Sequence, residues 1–397
     1  MVRAGKWIFG TGLRATNAQG VIDPAVSKDG RPLDPPPRPQ REAEHIFRNL
    51  GRALADAGSG LANVVRVDQY FPHWRAVDPY HVARKQALGS VSPPSTSVLV
   101  GGLFVPDAQM DVQIIATTRD SGLAAKPVRV TGLAAPKESG YSPCTQVGDL
   151  VFVAGQLARD DSGNIAPEAK VPPGQLWKGT RIALETRYLV ERRLRPALQA
   201  AGSELDLVLK AQVYLSHAED LPAFWQVWAE CCGGKPPPTL VVPVRHPAFG
   251  TEEATIEINV VAASASERAR VRDIECDIDL VAPGMIPARS FDGLLFVAGL
   301  MAIDREGLVP QAPTTQLQMA DILGKARKIF AAAGSDLENV VRVLQFHADL
   351  GDFEDTYAEW RGVIGDAGLP FSAVETGKDL FVPGAKLIVD LWGSAPA

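Results

Sequence analysis

A short motif that recurs three times at a nearly constant interval constrains the fold of this chain more than any other feature. Each occurrence is a run of β-branched and aromatic residues closed by a glycine, as expected of a strand that ends in a turn. The three runs are Trp7–Arg14, Val151–Arg159 and Leu295–Ala302. Their matching glycines, Gly12, Gly155 and Gly299, lie 143 and 144 residues apart. A period of this length predicts three copies of one small domain rather than the layers of a solenoid.

A second motif recurs in the same order and supports this division. The tripeptide Ala-Gly-Ser closes a predicted helix in each copy and is followed by a predicted strand. Its occurrences begin at Ala57, Ala201 and Ala333. We predict three domains at residues 1–122, 123–266 and 267–397. The first copy opens directly on its Trp7 strand, so we expect it to lack the strand that comes first in the other two.

Composition and charge narrow the class of protein. With 397 residues, 46% of them hydrophobic and 22% charged, the chain is typical of a soluble globular protein with several cores. Its net charge of −6 argues against nucleic acid and anionic membranes as partners. No apolar run approaches the roughly 20 residues of a spanning helix, and no signal-peptide core follows the N-terminus. Four irregularly spaced cysteines indicate reduced thiols, so we expect a cytoplasmic location.

The order of predicted elements in each copy is β-β-α-β-α-β-β, an α+β arrangement with two helices on one face of a mixed sheet. The longest predicted helix covers about 175–200. In the last strand of the second copy, Ile256 and Ile258 point one way and Glu257 and Asn259 the other, because side chains alternate. We expect the apolar side to lie under the helices and the mixed side to face the other sheets. Three sheets that meet in this way would enclose three clefts at their seams, where binding sites commonly form.

Four motifs together resemble a known family. They are the strand ending in Val153–Gln156, the Ala-Gly-Ser helix end, the strand Val340–Phe346 with its following Asp349, and the closing Ile256–Ile258. In this combination the chain resembles, over nearly its whole length, the reactive-intermediate deaminases, also called RidA or YjgF-like proteins. That resemblance implies a chorismate-mutase-like fold and homotrimers with a ligand cleft at each subunit boundary. For three copies in one chain it implies an intramolecular pseudo-trimer, present as a monomer or a homodimer.

The resemblance implies a deaminase activity, but this chain lacks one residue on which that activity depends. Deaminase members hydrolyse enamines and imines such as 2-aminoacrylate, and an arginine ahead of the fourth strand holds the substrate carboxylate. A planar fork of donors suits a carboxylate. The corresponding positions here hold Ser95, Thr239 and Phe371. Since the arginine is missing from all three copies, we do not expect the usual 2-aminoacrylate chemistry.

The resemblance also implies candidate catalytic residues. The acidic residue that positions or activates water on the family's last strand corresponds to Asp111 and Glu257, and the third copy has Ile388 there. The family's tyrosine before the glycine strand corresponds to Tyr141. A carboxylate half-buried at a seam would have a raised pKa and could move a proton. We therefore predict Glu257, Asp111 and Tyr141 as catalytic residues.

Small polar residues near these positions are candidate substrate contacts. Many family members have a cleft cysteine where this chain has Ser97 in the first copy. The predicted substrate-binding residues are Ser95, Ser97, Thr239, Gly155 and Gln156. Because the copies differ at these positions, we expect one or two equipped clefts rather than three equal ones.

Other motifs argue against metals and cofactors. The histidines show no ligand spacing, and neither a phosphate-binding loop nor a dinucleotide-binding glycine motif is evident. The basic run Glu191–Arg195 is typical of a solvated helix face rather than of an anion site. We predict no metal and no cofactor, and a small molecule as the partner.

Three functions fit these observations. The first is a cofactor-free enzyme that uses acid–base chemistry and water on a small metabolic intermediate, by enamine or imine deamination or hydrolysis. The second is ring-opening hydrolysis of a cyclic amide, as in cyanuric acid hydrolases and barbiturases. Those are single chains of three similar domains, but they use serine–lysine dyads, for which the sequence shows no convincing pair. The third is a non-catalytic binding or scaffold protein, favoured by the missing arginine. Some family members are described as ribonucleases, against which the acidic charge argues.

Overall fold

The computed structural model describes residues 1–27, 34–133, 140–175, 177–310, 314–365, 371–377 and 380–396. Within these ranges the fold is mixed α+β. The strands are β1 (Val2–Ala4), β2 (Trp7–Leu13), β3 (Val64–Phe71), β4 (Ser95–Leu99), β5 (Gly102–Leu103), β6 (Asp111–Thr117), β7 (Ala125–Pro127), β8 (Cys144–Val147), β9 (Leu150–Gln156), β10 (Val208–Leu215), β11 (Thr239–Pro243), β12 (Ile256–Ala263), β13 (Arg272–Ile274), β14 (Ala288–Phe291), β15 (Leu294–Val297), β16 (Val340–His347), β17 (Phe371–Glu375) and β18 (Leu387–Ser394). The helices are α1 (Pro24–Ser27), α2 (Arg38–Asp56), α3 (Val77–Leu88), α4 (Arg181–Tyr188), α5 (Arg195–Ala200), α6 (Leu221–Cys231), α7 (Thr315–Ala332) and α8 (Phe353–Ile364).

The strands form three mixed sheets. The first sheet has the order β1-β2-β6-β3-β4, the second β11-β10-β12-β9-β8-β7, and the third β13-β14-β15-β18-β16-β17-β5. Each contains one parallel pair, β3–β4, β10–β11 or β16–β17, and its other pairs are antiparallel. The third sheet is extended by β5 from the N-terminal part of the chain, with Leu103 opposite Val374.

The first sheet has the strand that we expected it to lack. Strand β1 pairs antiparallel with β2, with Val2 opposite Phe9 and Ala4 opposite Trp7. The prediction that the first copy has no strand ahead of Trp7 is therefore wrong. Three residues before the turn at Gly5 are too short a run to show the alternation by which a strand is recognised.

Each sheet carries helices on one face. In the first sheet, Ile46 and Leu50 of α2 pack in one buried cluster with Val112 and Ile114 of β6. The corresponding apolar residues of β12 and β18 pack beneath the helices of their own sheets. The expected orientation of the apolar side of the last strand is thus confirmed, and burial of this side is the main stabilising contribution of each sheet.

The faces away from the helices pack against one another. A buried cluster there draws residues from all three sheets: Trp7, Phe9, Val65 and Ile115 from the first, Val147, Leu150, Phe152, Leu209, Val261 and Ala263 from the second, and Phe291, Leu294, Phe296, Val341 and Trp392 from the third. The rings of Trp7 and Phe152 are 6.1 Å apart, edge to face, and those of Phe9 and Trp392 are 6.0 Å apart. The mixed side of the last strands therefore lies in an interior that the three sheets share.

A chain of buried charges crosses this interior. Asp68 lies 2.8 Å from Arg66 and 3.4 Å from Arg342, and Asp390 lies 3.6 Å from Arg342 and 2.5 Å from Lys210. These alternating charges come from β3, β16, β18 and β10, so they connect all three sheets.

Within the described ranges, no helix is both long enough and apolar enough to cross a membrane.

Candidate active site

A cleft of about 920 Å³ opens between the first and second sheets. We call this junction the first seam. One wall is α3 with the turn before it and strand β4, and the other is formed by the ends of β9 and β12 and the loop at 248–250. The lining residues are Phe71, Trp74, Val77, Asp78, His81, Val82, Lys85, Gln86, Ser95, Ser97, Leu99, Tyr141, Gly155, Gln156, Leu157, Arg159, Arg193, Ala248, Phe249, Gly250 and Glu257. Six of the eight predicted site residues are among them.

Glu257 is the acid of this cleft. It lies on β12, in the middle of the second sheet, opposite Tyr214 of β10. The residue is only 6% exposed. Burial raises the pKa of its carboxyl to about 8, although the nearby Arg159 lowers it. The carboxyl is therefore mostly protonated at neutral pH and can give a proton to a bound molecule.

Gly155 makes room for this carboxyl. A methyl group built at position 155 would overlap the Oε1 atom of Glu257. The pairing of β9 with β12 shifts register between Ile258 and Val260, next to Gln156, and this irregularity brings the glycine beneath the acid. The glycine of the repeated motif is thus required by the acid above it.

The other predicted residues at the first seam are held by local hydrogen bonds. Ser95 accepts a hydrogen bond from Nη1 of the buried Arg84 (2.9 Å), and Ser97 accepts one from Nε2 of Gln69. Tyr141 is half-buried, and burial raises the pKa of its phenol, which therefore keeps its proton. The side-chain amide of Gln156 donates to the carbonyl of Ala154 (3.1 Å).

Two arginines that the sequence did not single out also line the cleft. Arg159 follows β9, and Arg193 lies in a π-helical turn, Leu189–Leu194, between α4 and α5. Arg193 donates to the carbonyls of Gly132 (3.0 Å) and Arg159 (3.4 Å). The prediction of a solvated face for the run Glu191–Arg195 is therefore wrong for Arg193, although Glu191 and Arg195 form a surface ion pair.

His81 is a further lining residue that we did not predict. Burial, together with Arg84 and Lys85, lowers the pKa of its imidazole to about 3, so the ring is neutral. It lies on the face of α3 that also carries Val77 and Lys85, at the spacing of one helical turn. This four-residue spacing was visible in the sequence. It predicts that the three side chains share one face of the helix, but it does not predict which other residues that face contacts.

Asp111 lies at a second seam, between the first and third sheets. Its carboxyl is fully buried, 2.6 Å from Nη2 of Arg14, and accepts a hydrogen bond from Ser372 (2.8 Å). The ring of Phe104 packs there against Phe353, with centroids 4.5 Å apart. Burial raises the pKa of Asp111 and Arg14 opposes this shift. The residue does not line the cleft.

Thr239 lies at a third seam, between the second and third sheets. It is fully buried, accepts a hydrogen bond from Nε1 of Trp228 (3.1 Å) and donates one to the carbonyl of Pro237 (2.7 Å). Apolar side chains, Val241 and Ile388 among them, line a space of only about 10 Å³ there. The cleft at the first seam is thus of ligand size, whereas the space at the third seam is not.

Across the ranges that the structure describes, no three His, Cys, Asp or Glu side chains are grouped to hold a metal ion.

Comparison with known proteins establishes the family. A family model described as Endoribonuclease L-PSP matches residues 132–264 and 286–387, more than half of the chain. The chain belongs to this family, and the resemblance to the RidA or YjgF-like proteins is confirmed. The two matched regions fit several divergent copies.

Individual relatives match about a third of the chain. A RutC family protein of Saccharolobus solfataricus and one of Pyrococcus horikoshii are each 33% identical over 130 residues, which is 32% of this chain and 90% of each relative. A crystal structure of a chorismatase matches 84% of this chain and 93% of its own length, with a TM-score of 0.53 and 12% identity. That likeness concerns the fold alone.

Proposed function

We propose that this chain is a cofactor-free enzyme that hydrolyses an enamine or imine of a small metabolite in the first-seam cleft. The observation that supports this most is Glu257, a carboxyl whose pKa is raised to about 8 where it lines that cleft. A group with its pKa near the working pH can both give and take a proton. The family to which the chain belongs supports the same class of reaction.

We also propose that the chain is an intramolecular pseudo-trimer of domains 1–122, 123–266 and 267–397, present as a monomer or a homodimer. The repeated strand order of the three sheets supports this, because β1-β2-β6-β3-β4 has a counterpart in the other two. The interior shared by the three sheets supports it as well.

The proposed reaction begins with proton transfer from Glu257 to the β-carbon of the enamine, which becomes an iminium ion. The Glu257 carboxylate then takes a proton from water as the water oxygen bonds to the iminium carbon. Glu257 then gives its proton to the nitrogen of the resulting carbinolamine, the C–N bond breaks with release of ammonia, and the hydroxyl proton returns to the Glu257 carboxylate as the carbonyl group forms. Tyr141, with its proton retained, would donate a hydrogen bond to the attacking water or to the substrate.

The proposal does not extend to Asp111 and Thr239. The carboxyl of Asp111 already contacts Arg14 and Ser372, and the hydroxyl of Thr239 contacts Trp228 and Pro237. Neither residue lines the cleft, so we propose one active site per chain.

The test is hydrolysis of imines formed in solution by an amino-acid oxidase acting on leucine or phenylalanine. We expect Glu257→Gln to lower kcat/KM at least about 100-fold, the size of a general acid–base contribution. The matched control is Glu338→Gln, an exposed acid outside the cleft.

The pH profile adds an independent readout. Since the raised pKa keeps the acid form up to about pH 8, kcat/KM should be level below that pH and fall above it. Turnover by Glu257→Gln equal to the wild type would overturn the proposal. Binding of ligands in the cleft without turnover of any imine would favour a non-catalytic binding protein instead.

A further inference from the structure

We propose that the cleft binds a substrate with two parts, an anionic group and an apolar group the size of an aromatic ring. This inference rests on the proposed function for the reaction itself, but the binding it describes is measurable without turnover. Two sets of side chains in the first-seam cleft support it, one basic and one apolar.

The basic set is Arg159, Arg193 and Lys85. The Nε atoms of Arg159 and Arg193 are buried, and neither has a hydrogen-bond partner within the described part of the chain. The acids among the described residues that line the cleft are Asp78 and Glu257. Because Glu257 is mostly protonated at neutral pH, only the negative charge of Asp78 offsets the three positive charges within this described lining. The cleft is therefore positive although the chain carries a net charge of −6. Unsatisfied guanidinium donors in a partly closed cleft favour a carboxylate or a similar oxyanion.

These arginines do not occupy the position of the arginine that relatives use. That position holds Ser95, whose hydroxyl accepts a hydrogen bond from the buried Arg84. Arg159 instead follows β9, at the end of the repeated motif, and Arg193 reaches the cleft from the π-helical turn. We infer that the anion is bound from the side of the second sheet, next to Glu257, rather than from β4.

The apolar set lies mainly on the wall of α3, which faces the two arginines and also carries Lys85, and includes Phe249 from the loop at 248–250. Trp74 is 65% exposed and Val82 is 44% exposed, although both are large apolar side chains. Val77 on the same helix and Phe249 in the facing loop extend this surface. Exposed apolar groups that converge on a cleft gain free energy when a ligand covers them, so they indicate an apolar part of the substrate.

The size of the cleft agrees with a two-part substrate. Its volume of about 920 Å³ is within the range of sites that bury ligands of drug size. A three-carbon imino acid could reach the arginines or the tryptophan but would leave most of this space to water. A ring or a comparable branched chain attached to the anionic group would contact both walls.

The test is binding of unreactive probes to the full chain by isothermal titration calorimetry. We expect 3-phenylpropionate, which has both parts, to bind at least tenfold more tightly than propionate, which lacks the ring, and than 3-phenylpropionamide, which lacks the charge. Equal affinities for the three probes would overturn the inference.

Variants assign each part to its wall. Trp74→Ala should weaken 3-phenylpropionate at least fivefold and leave propionate unchanged. Its matched control is Trp177→Ala, which changes a tryptophan that is 97% exposed and lies outside the cleft lining. Arg159→Gln or Arg193→Gln should remove the preference for the acid over the amide. If Trp74→Ala binds as Trp177→Ala does, or if both arginine variants keep the preference, the inference is wrong.

Failure of this inference and failure of the proposed function are distinguishable because the probes do not react. Tight binding of 3-phenylpropionate together with no imine hydrolysis would reject the enzyme and keep the two-part site. Hydrolysis of a three-carbon imine as fast as that of its phenyl-bearing analogue would reject the two-part site and keep the enzyme.

Discussion

Glu257 can lie over the backbone of β9 because residue 155 has no side chain. The other two repeated glycines are also close to a neighbouring residue, but across a seam rather than within one sheet. A methyl group at Gly12 would overlap the carbonyl oxygen of Phe371, and one at Gly299 would press on Leu240. Each glycine of the motif therefore allows a close approach to the backbone, within the second sheet at Gly155 and across a seam at Gly12 and Gly299. At the first seam the atom that approaches is a carboxyl oxygen.

Replacing this glycine tests its link to the acid. Gly155→Ala should displace the Glu257 carboxyl and lower kcat/KM for imine hydrolysis at least tenfold. The matched control is Gly324→Ala in α7, where an added methyl group meets no atom within 4 Å and alanine is the better helix former. Steady-state kinetics of both variants measures the effect. Unchanged activity of Gly155→Ala would contradict the proposed position of the acid.

Sequence reasoning located part of this site and missed the rest for a physical reason. The family resemblance led to Glu257, alternation along β12 gave the side of the sheet that it faces, and the repeated motif led to Gly155. Arg193 and His81 reach the cleft from helices, and their direction depends on how those helices pack. Asp111 matches Glu257 in sequence position, but an arginine and a ring cluster fill the space around it.

At the scale of elements, the π-helical turn between α4 and α5 determines where Arg193 lies. The turn comes just before Pro196, which has no N–H to donate to the carbonyl of Arg192, and a proline ring clashes with that carbonyl in a regular helix. A wider turn relieves the clash, and such turns are frequent at functional sites. The sequence predicted one helix over 175–200, which begins instead at Arg181 because Gly179 has a φ of 99°.

Removing one residue from this turn tests its role. Deletion of Arg192 should remove the extra residue of the π-helical turn, rotate the helix that precedes it relative to α5, and move Arg193 away from the cleft. We expect at least tenfold weaker binding of 3-phenylpropionate, with helical content by circular dichroism preserved. Arg192→Ala, which changes an exposed side chain and keeps the chain length, is the control. Unaltered binding by the deletion variant would show that the turn does not position Arg193.

The sequence predicted the long strands better than the short ones. Alternation predicted β6, β12 and β18 with the correct side toward the helices, because burial of one face is a local property. Strand β1 was missed because it is three residues long, and β5 joins the third sheet from far along the chain. Pairing between distant segments leaves no periodic signal in either one.

At the scale of the whole molecule, buried charges connect the three sheets in addition to their apolar packing. Asp390 contacts Lys210 of the second sheet and Arg342 of its own, and Arg342 also reaches Asp68 of the first.

Asp390→Asn leaves two buried cations with one acid fewer and should lower the free energy of unfolding by about 3–5 kcal/mol. Urea denaturation measures this loss. The exposed Asp336→Asn is the control, and equal stability of the two variants would contradict the structural role.

The seams differ in what fills them, and this difference underlies the proposal of one site per chain. An ion pair and aromatic rings occupy the second seam, apolar side chains close the third, and the first holds a cleft with a protonated acid. The protonation of that acid is the claim on which the reaction depends.

Infrared difference spectroscopy between the wild type and Glu257→Gln tests this claim most directly. The wild type should show the carbonyl stretch of a protonated carboxylic acid that the variant lacks, and this band should disappear with a midpoint near pH 8, as the raised pKa of Glu257 requires. A band that disappears with a midpoint near pH 4 to 5, the ordinary range of a glutamate, would contradict it.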